Sequence, residues 1–516
     1  MVSVNLRELF RRIKAFATPG SGESITERTV KGGMWVGALN VVDRLLQILL
    51  LIVLARLLDP AAFGLFGIAM LALGAMRKFA NLGIDQSLIY EADENIDPML
   101  NTAWLIEIAR AAVLAVVLLV GAPLIAMVFN EPGATPLIRV IGLSRLFIGF
   151  RNPAIVYFQK DLQFHKQFVY KISGSVIQFV AGIGYALFVD ASAWALVVGF
   201  VLADAFRFLA SYGLTDFRPW PSFDTDVAWN MIDYGKWITA TSILYFLYSE
   251  GDDAVVGAVL GSTALGLYRY GYQLSNAPAT EITHVISDVT FPAYSKLQDD
   301  VPALREGFHR TLQLTTFLSF PVALGIVVVT PSFVRGFLGQ DWVPVILTMQ
   351  ILGLFALMRS AAATFGPVWK AIGRPDLIAK FSGVRVLCLL VTFYPAIVYL
   401  PSITGLRGIE VAALVITGVQ LFPMFPIDIY YLRESIDTSY RRLARDVGYP
   451  LVASVAMYAV TAAVAGVLPF GAILTFAVLV VVGALSYVAA VAVLELGFGW
   501  GLEGHFKSTL SALGGS

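Results

Sequence analysis

Residues 33–65 read GMWVGALNVVDRLLQILLLIVLARLLDPAAFGL, and residues 235–267 read GKWITATSILYFLYSEGDDAVVGAVLGSTALGL. Aligned without a gap, the two stretches are identical at nine of 33 positions, including the pair Gly64 and Gly266. Biased composition alone would give about three matches. The stretches therefore predict an internal duplication with an offset of 202 residues. The alternative is chance similarity between two apolar helices.

The chain around this repeat is too apolar for a soluble enzyme. Of its 516 residues, 58% are hydrophobic and 14% are charged, whereas soluble domains have about 45–50% and about 25%. The 36 basic and 36 acidic residues cancel, so the net positive charge of a nucleic-acid-binding protein is missing. The single cysteine, Cys388, excludes an internal disulfide framework and a cysteine-cluster metal site.

A membrane-spanning helix needs about 20 mostly apolar residues. Fourteen stretches meet this description: 33–58, 62–90, 100–129, 134–158, 168–189, 192–214, 229–259, 264–294, 308–330, 342–371, 377–400, 405–432, 447–468 and 471–495. The runs are long and continuous, which excludes a β-barrel, and no connection is long enough for a soluble domain. We predict an all-α polytopic membrane protein with about 14 transmembrane helices.

The repeat organises these spans. An even number of spans separates the copies, so the two six-helix bundles share one orientation and form a parallel repeat, with two peripheral helices outside it. The predicted parts are a cytoplasmic basic arm (1–31), an N-terminal bundle (32–215), a linker (216–228), a C-terminal bundle (229–432), a basic loop (433–446), a peripheral helix pair (447–495) and a cytoplasmic tail (496–516).

Lysine and arginine are concentrated in alternate loops. The first arm and the loops on the same side hold most of them, which by the positive-inside rule puts both termini in the cytoplasm of a cell-membrane protein. Residues 4–16 place leucines and a phenylalanine on one helical face and basic residues elsewhere, the pattern of an amphipathic helix on an anionic leaflet. A merely basic tail is the alternative.

Ionisable side chains in the spans point to a wet cavity, since each costs at least about 2.5–3.5 kcal/mol at mid-bilayer. Glu107 and Arg110, and Asp204 and Arg207, are spaced to neutralise each other on one helix face. Five arginines have no acidic partner at i+3 or i+4 in their own helices and are candidate ligands for phosphate or carboxylate: Arg44, Arg145, Arg151, Arg269 and Arg359. Snorkelling to the interface is the alternative for arginines near helix ends.

A carboxylate cluster in the seventh span consists of Glu250, Asp252 and Asp253. Carboxylates inside a span bind Na⁺ or relay protons, although these could equally pair with an arginine across the cavity. No nucleotide-binding glycine motif and no catalytic triad pattern is visible. We therefore expect no cofactor, no catalytic metal and no enzymatic activity, and we expect any energy input to come from a Na⁺ or H⁺ gradient.

Several short motifs resemble one family as a set. They are KGGMW at 31–35, LARLLDP at 54–60, YGKW at 234–237, GDDAVVG at 251–257 and FPAYSKLQ at 291–298. They are similar to the polysaccharide (Wzx-like) flippases of the multidrug/oligosaccharidyl-lipid/polysaccharide exporter superfamily, and to the exopolysaccharide or colanic-acid branch in particular. The resemblance covers about residues 24–440.

This resemblance implies a fold of two helical bundles around a central cavity with a cationic lumen. It also implies a substrate, a polyprenyl-(di)phosphate-linked oligosaccharide moved to the outer leaflet by alternating access for lipopolysaccharide or exopolysaccharide assembly. Membrane lipids, and a polysaccharide polymerase or glycosyltransferases, are the implied partners. A cation-coupled drug antiporter of the same superfamily is the main alternative, and it predicts an acidic cavity; a membrane glycosyltransferase and a scaffold protein are weaker ones.

Overall fold

The computed structural model describes residues 25–81, 83–90 and 96–499, and within these ranges the chain is helical with turns and contains no strand. The chain forms two compact units, and the boundary between them follows Gly266. The first unit holds helices α1 (Ile25–Leu57), α2 (Pro60–Phe79), α3 (Ile84–Tyr90), α4 (Asp97–Val128), α5 (Ala134–Gly149), α6 (Tyr157–Lys160), α7 (Phe164–Phe188), α8 (Ala193–Leu214), α9 (Thr225–Leu260) and the first turn of α10 (Ser262–Ser295).

The second unit continues α10 and adds eight helices. These are α11 (Val301–Phe333), α12 (Ile346–Ala362), α13 (Phe365–Ala371), α14 (Pro375–Thr404), α15 (Gly408–Val419), α16 (Phe425–Ile436), α17 (Tyr440–Ala465) and α18 (Ala472–Phe498). Short π-helical turns at Val334–Leu338 and Gln420–Met424, and 3₁₀ turns at Pro153–Val156 and Gln340–Val345, interrupt the longer segments.

The predicted all-α membrane fold is confirmed. Each of the fourteen predicted stretches contains a helix, and among the described residues eleven segments are long and apolar enough to cross a membrane. The other three are α5, which is only 16 residues long, and the more polar α9 and α10. The predicted amphipathic helix at 4–16 lies outside the described residues, and the division into seven parts stays a prediction.

Two predicted spans were too long. The stretch 62–90 divides into α2, which ends at Phe79, and α3, which begins at Ile84. The stretch 134–158 ends its helix at Gly149, because Asn152 and Pro153 follow. Proline lacks the backbone N–H that would continue the helix, and the Asn152 side chain accepts a hydrogen bond from the Ala154 N–H at 3.0 Å. A new turn therefore starts where the continuous hydropathy predicted an unbroken span.

The repeated glycines lie in a reciprocal contact. A Cβ atom on Gly64 would sit 1.7 Å from the carbonyl oxygen of Ser262, and one on Gly266 would sit 2.0 Å from that of Pro60. Pro60 and Ser262 are themselves equivalent under the 202-residue offset. The contact is thus made twice, once from each copy, which supports the duplication and explains why both positions are glycine.

The second unit is built around α11. Its apolar core joins Phe308 and Phe320 on α11 to Trp369 on α13 and Leu432 on α16. The predicted peripheral helices α17 and α18 pack on another part of α11 through a smaller cluster that includes Tyr487. The Tyr487 hydroxyl donates a hydrogen bond to the Phe317 carbonyl at 2.8 Å.

Candidate functional site

Glycines bring α4 and α5 together at the candidate site. A Cβ atom on Gly149 would lie 2.4 Å from the Ala111 Cβ, and one on Gly142 would lie 2.8 Å from the Leu118 Cβ. These glycines are seven residues apart, so they lie on nearly the same face of α5. Arg145 lies between these two glycines on α5. The close approach of the helices therefore places Arg145 beside Glu107 and Arg110 on α4.

The segment after α5 is held in place by buried hydrogen bonds. Asn152 is fully buried; its N–H donates to the Ser211 hydroxyl at 2.9 Å and its side-chain amide donates to the Phe217 carbonyl at 2.6 Å. Tyr157 accepts from the Ile96 N–H at 3.0 Å and donates to Asp97 at 2.9 Å. Burial and the Asp97 hydrogen bond raise the pKa of Tyr157. These contacts fix Arg151 relative to the start of α4.

A cavity of 400 Å³ opens among α2, α4 and α5. Of the described residues that line it, five are basic and one is acidic: Arg77, Lys78, Arg110, Arg145, Arg151 and Glu107. Glu107 forms an ion pair with Arg110 within α4. The remaining lining is small or apolar, apart from Asn81, so the cavity has a strongly cationic wall.

Arg145 is the most deeply buried arginine that lines this cavity. It is 6% exposed and pairs with Asp204 on α8, which is 2% exposed. Asp204 also lies 3.5 Å from Arg207, and the Ser144 hydroxyl lies 3.2 Å from its Oδ2 atom. One carboxylate therefore faces two guanidinium groups.

Two guanidinium nitrogens at this site are buried without a hydrogen bond in the described structure, Nε of Arg145 and Nε of Arg110. An unmet buried donor costs about 1–3 kcal/mol. Guanidinium groups bind phosphate and carboxylate in a bidentate, permanently charged manner. The arrangement is chemically suited to hold an anion with several oxygens.

The structure brings together two of the five predicted arginines, Arg145 and Arg151. Arg44, half-buried on α1, does not line this cavity; its side chain donates a hydrogen bond to Gln47 at 3.5 Å. Arg269 and Arg359 belong to the second unit, where Arg359 donates to the Tyr272 hydroxyl at 3.0 Å.

Sequence reasoning left three cavity residues out of the predicted site, Arg77, Lys78 and Arg110. Arg110 looked neutralised by Glu107, and that ion pair does form, yet the pair still lines the cavity. Arg77 and Lys78 end an apolar span. The available signal was the alternation of spans, which puts the end of α2, the start of α4 and the end of α5 at one membrane face.

The acidic cluster lies on α9 as predicted. Asp253 is 8% exposed, and Glu250 and Asp252 are half-buried. Across the described part of the chain, no group of three or more His, Cys, Asp and Glu side chains is placed to hold a metal ion. A role for these carboxylates in ion coupling stays a prediction.

Comparisons with known proteins agree with this picture. Lipopolysaccharide biosynthesis protein WzxC of Escherichia coli (strain K12) is 27% identical over 84% of this chain and 86% of its own length. Teichuronic acid biosynthesis protein TuaB of Bacillus subtilis (strain 168) is 23% identical over 70% of this chain and 76% of its own length.

The fold has a counterpart among solved structures. The inward closed conformation of the lipid II flippase MurJ superposes with a TM-score of 0.70, covering 89% of this chain and 98% of that one, at 14% identity. The sequence profile of the family described as "Polysaccharide biosynthesis protein" matches residues 53–347, more than half of the chain. The chain therefore belongs to the polysaccharide biosynthesis protein family.

Proposed function

We propose that this protein is a flippase that carries a polyprenyl-(di)phosphate-linked oligosaccharide from the cytoplasmic to the outer leaflet. The observation that carries the proposal is the 400 Å³ cavity with five basic side chains and one carboxylate. A diphosphate offers several anionic oxygens in a small volume, and arginine binds such oxygens bidentately. The polyprenyl tail would stay in the bilayer.

Family and fold support this reading. WzxC and TuaB are named for the biosynthesis of lipopolysaccharide and teichuronic acid, and MurJ is named a lipid II flippase. These names describe transport and assembly of glycans, so we infer a transporter and not an enzyme. The cationic wall argues against the drug-antiporter alternative, which calls for an acidic cavity.

The predicted membrane orientation fits loading from the cytoplasm. With the N-terminus in the cytoplasm, α2 ends, α4 begins and α5 ends at the cytoplasmic face, because successive spans alternate. The cavity built at these ends would then open toward the leaflet in which lipid-linked oligosaccharides are made. Movement of the headgroup across the membrane would follow by alternating access, and a polymerase or glycosyltransferase would act on the product or supply the substrate.

The remaining predicted residues have roles in the same proposal. Arg44, Arg269 and Arg359 are candidates to bind the headgroup at other stages of transport. Arg359 and Arg269 both lie near Tyr272, one by a hydrogen bond and one by its i,i+3 spacing on α10. The carboxylates on α9 are candidates for coupling to Na⁺ or H⁺.

Substrate binding tests the proposal. Purified protein carrying Arg77→Gln and Arg151→Gln should bind undecaprenyl diphosphate at least about tenfold more weakly than wild type, since a hydrogen bond to a charged group contributes about 1.5–3 kcal/mol. Arg77→Lys with Arg151→Lys should lose less, because the charge remains.

The matched control is Arg56→Gln with Arg139→Gln, which removes two exposed arginines of the same unit that do not line the cavity. This control should bind as wild type does. Equal affinity in the cavity variant and the control would refute the assignment of the cavity to the diphosphate.

A further inference from the structure

A second charged pocket lies in the other unit, far along the chain from the cationic cavity. Its volume is 1040 Å³, and α11, α17 and the end of α18 form its walls. Four arginines line it, Arg310, Arg441, Arg442 and Arg445. Three of them, Arg441, Arg442 and Arg445, lie in the first two turns of α17, within the segment predicted as the basic loop (433–446).

The pocket has more positive than negative charge on its surface. Glu306 pairs with Arg442 and lies 3.5 Å from Arg310. The second lining carboxylate, Asp446, is 2% exposed and accepts a hydrogen bond from Gln313 at 2.6 Å. Among the described residues that line the pocket, Glu306 is therefore the one accessible acidic group beside the four guanidinium groups.

Asp446 is turned inward by a buried network. It contacts His309 Nδ1 on α11, and His309 Nε2 lies 2.7 Å from the Thr438 hydroxyl. His309 is 1% exposed. This network joins α17 to α11 and gives the pocket a fixed wall.

One side of the pocket is apolar and open. Val452 on α17 is 55% exposed and Phe498 on α18 is 68% exposed, and both line the pocket. Beyond Val452 and before Phe498, the two helices present exposed apolar side chains such as Val455 and Leu496 along their spans. The pocket is thus charged at the end of the helices and continuous with an exposed apolar surface.

We propose that this pocket binds the phosphate-bearing headgroup of an anionic lipid. Arg441 and Arg445, both exposed, would contact the phosphate, and the acyl chains would lie along Val452 and Phe498. Basic residues at the membrane surface attract anionic lipids by about 1 kcal/mol each, and arginine adds bidentate contacts to phosphate. The apolar wall favours a lipid over a soluble phosphate.

Native mass spectrometry of the full-length, delipidated protein tests this proposal. The wild type should retain one molecule of phosphatidylglycerol, and it should retain this lipid more tightly than zwitterionic phosphatidylcholine. Arg441→Gln with Arg445→Gln should weaken retention of phosphatidylglycerol about tenfold. Arg335→Gln with Arg374→Gln, two exposed arginines of the same unit outside the pocket, should leave it unchanged.

Two further measurements distinguish a phospholipid from the carrier lipid and exclude misfolding of the variant as the cause of weaker binding. If undecaprenyl diphosphate displaces phosphatidylglycerol from the wild type but binds poorly to the pocket variant, the carrier lipid is the occupant. Arg441→Lys with Arg445→Lys keeps the charge and should retain most of the binding. Equal retention in the pocket variant and wild type, or equal loss in the control, would overturn the proposal; neither result bears on the cavity of the first unit.

Discussion

Arg145 illustrates how much a single side chain depends on a neighbour that is remote in sequence. Helical spacing pairs Asp204 with Arg207 and leaves Arg145 without a partner in its own helix. In the folded chain Asp204 serves both arginines, and the side chains of Arg145 and Asp204 are almost completely buried. Helical periodicity reports contacts within a helix, so this pairing between α5 and α8 could not be read from the sequence.

The burial of this group gives a prediction for stability. Asp204→Asn removes the carboxylate that two guanidinium groups share, and breaking a buried ion pair by removing one partner costs about 3–5 kcal/mol. We expect a clear drop in the midpoint of thermal unfolding of the detergent-purified protein.

The control for this prediction is Asp376→Asn. Asp376 pairs with Arg374 at 3.0 Å and with Lys380 at 2.9 Å on an exposed surface, where water screens the interaction. It should change the unfolding midpoint little. An Asp204→Asn protein as stable as the Asp376→Asn protein would contradict a structural role for the buried pair.

At the scale of helices, small residues set where elements meet. Gly142 and Gly149 let α5 approach α4, and Gly64 and Gly266 let two equivalent helix starts pack on each other. The sequence predicted the helices from hydropathy alone and predicted the equivalence of Gly64 and Gly266 from the repeat. It could not predict which glycines lie in close contacts, since Gly33 and Gly121 have open space around them.

Alanine substitutions distinguish glycines in close helix contacts from glycines with open space around them. Gly64→Ala places a methyl group 1.7 Å from a backbone oxygen, so the helices must separate, at a cost of about 1–3 kcal/mol for overpacking. Thermal unfolding should fall accordingly.

Gly121→Ala is the matched change in the interior of α4. No atom lies within 4 Å of the added methyl group, and replacing a helix-interior glycine by alanine stabilises by about 0.5–1 kcal/mol. The two variants should shift the unfolding midpoint in opposite directions. A destabilised Gly121→Ala protein together with a wild-type-like Gly64→Ala protein would reverse the assignment of contacts.

At the scale of the whole molecule, any energy input to transport is predicted to come from a Na⁺ or H⁺ gradient. The proposed coupling group is Asp253, which is buried on α9. Asp253→Asn should retain substrate binding but lose the dependence of translocation on an imposed Na⁺ or pH gradient in proteoliposomes. Asp226→Asn, an exposed change in the first turn of the same helix, should keep that dependence. Unaltered gradient dependence in Asp253→Asn would remove this residue from the coupling mechanism.

The sequence determined the class of the molecule better than the composition of its site. Long apolar runs and few charges predict membrane helices because the bilayer excludes unpaired backbone groups. The cavity, by contrast, joins side chains from α2, α4 and α5, and its charge depends on which of them face one another. Arg145 and Arg151 were predicted as anion ligands. Arg77 and Arg110 were visible in the sequence as ionisable residues inside spans, but only the packing places them, with Lys78, in the same cavity.

Translocation of a fluorescent polyprenyl-diphosphate oligosaccharide in proteoliposomes tests the central claim most directly. The rate should fall at least about tenfold in the Arg77→Gln, Arg151→Gln protein, because the cationic wall loses two of the groups proposed to bind phosphate. The Arg56→Gln, Arg139→Gln protein, reconstituted at the same density, should translocate as wild type does. Wild-type rates in both proteins would contradict the claim that this cavity carries the headgroup across the membrane.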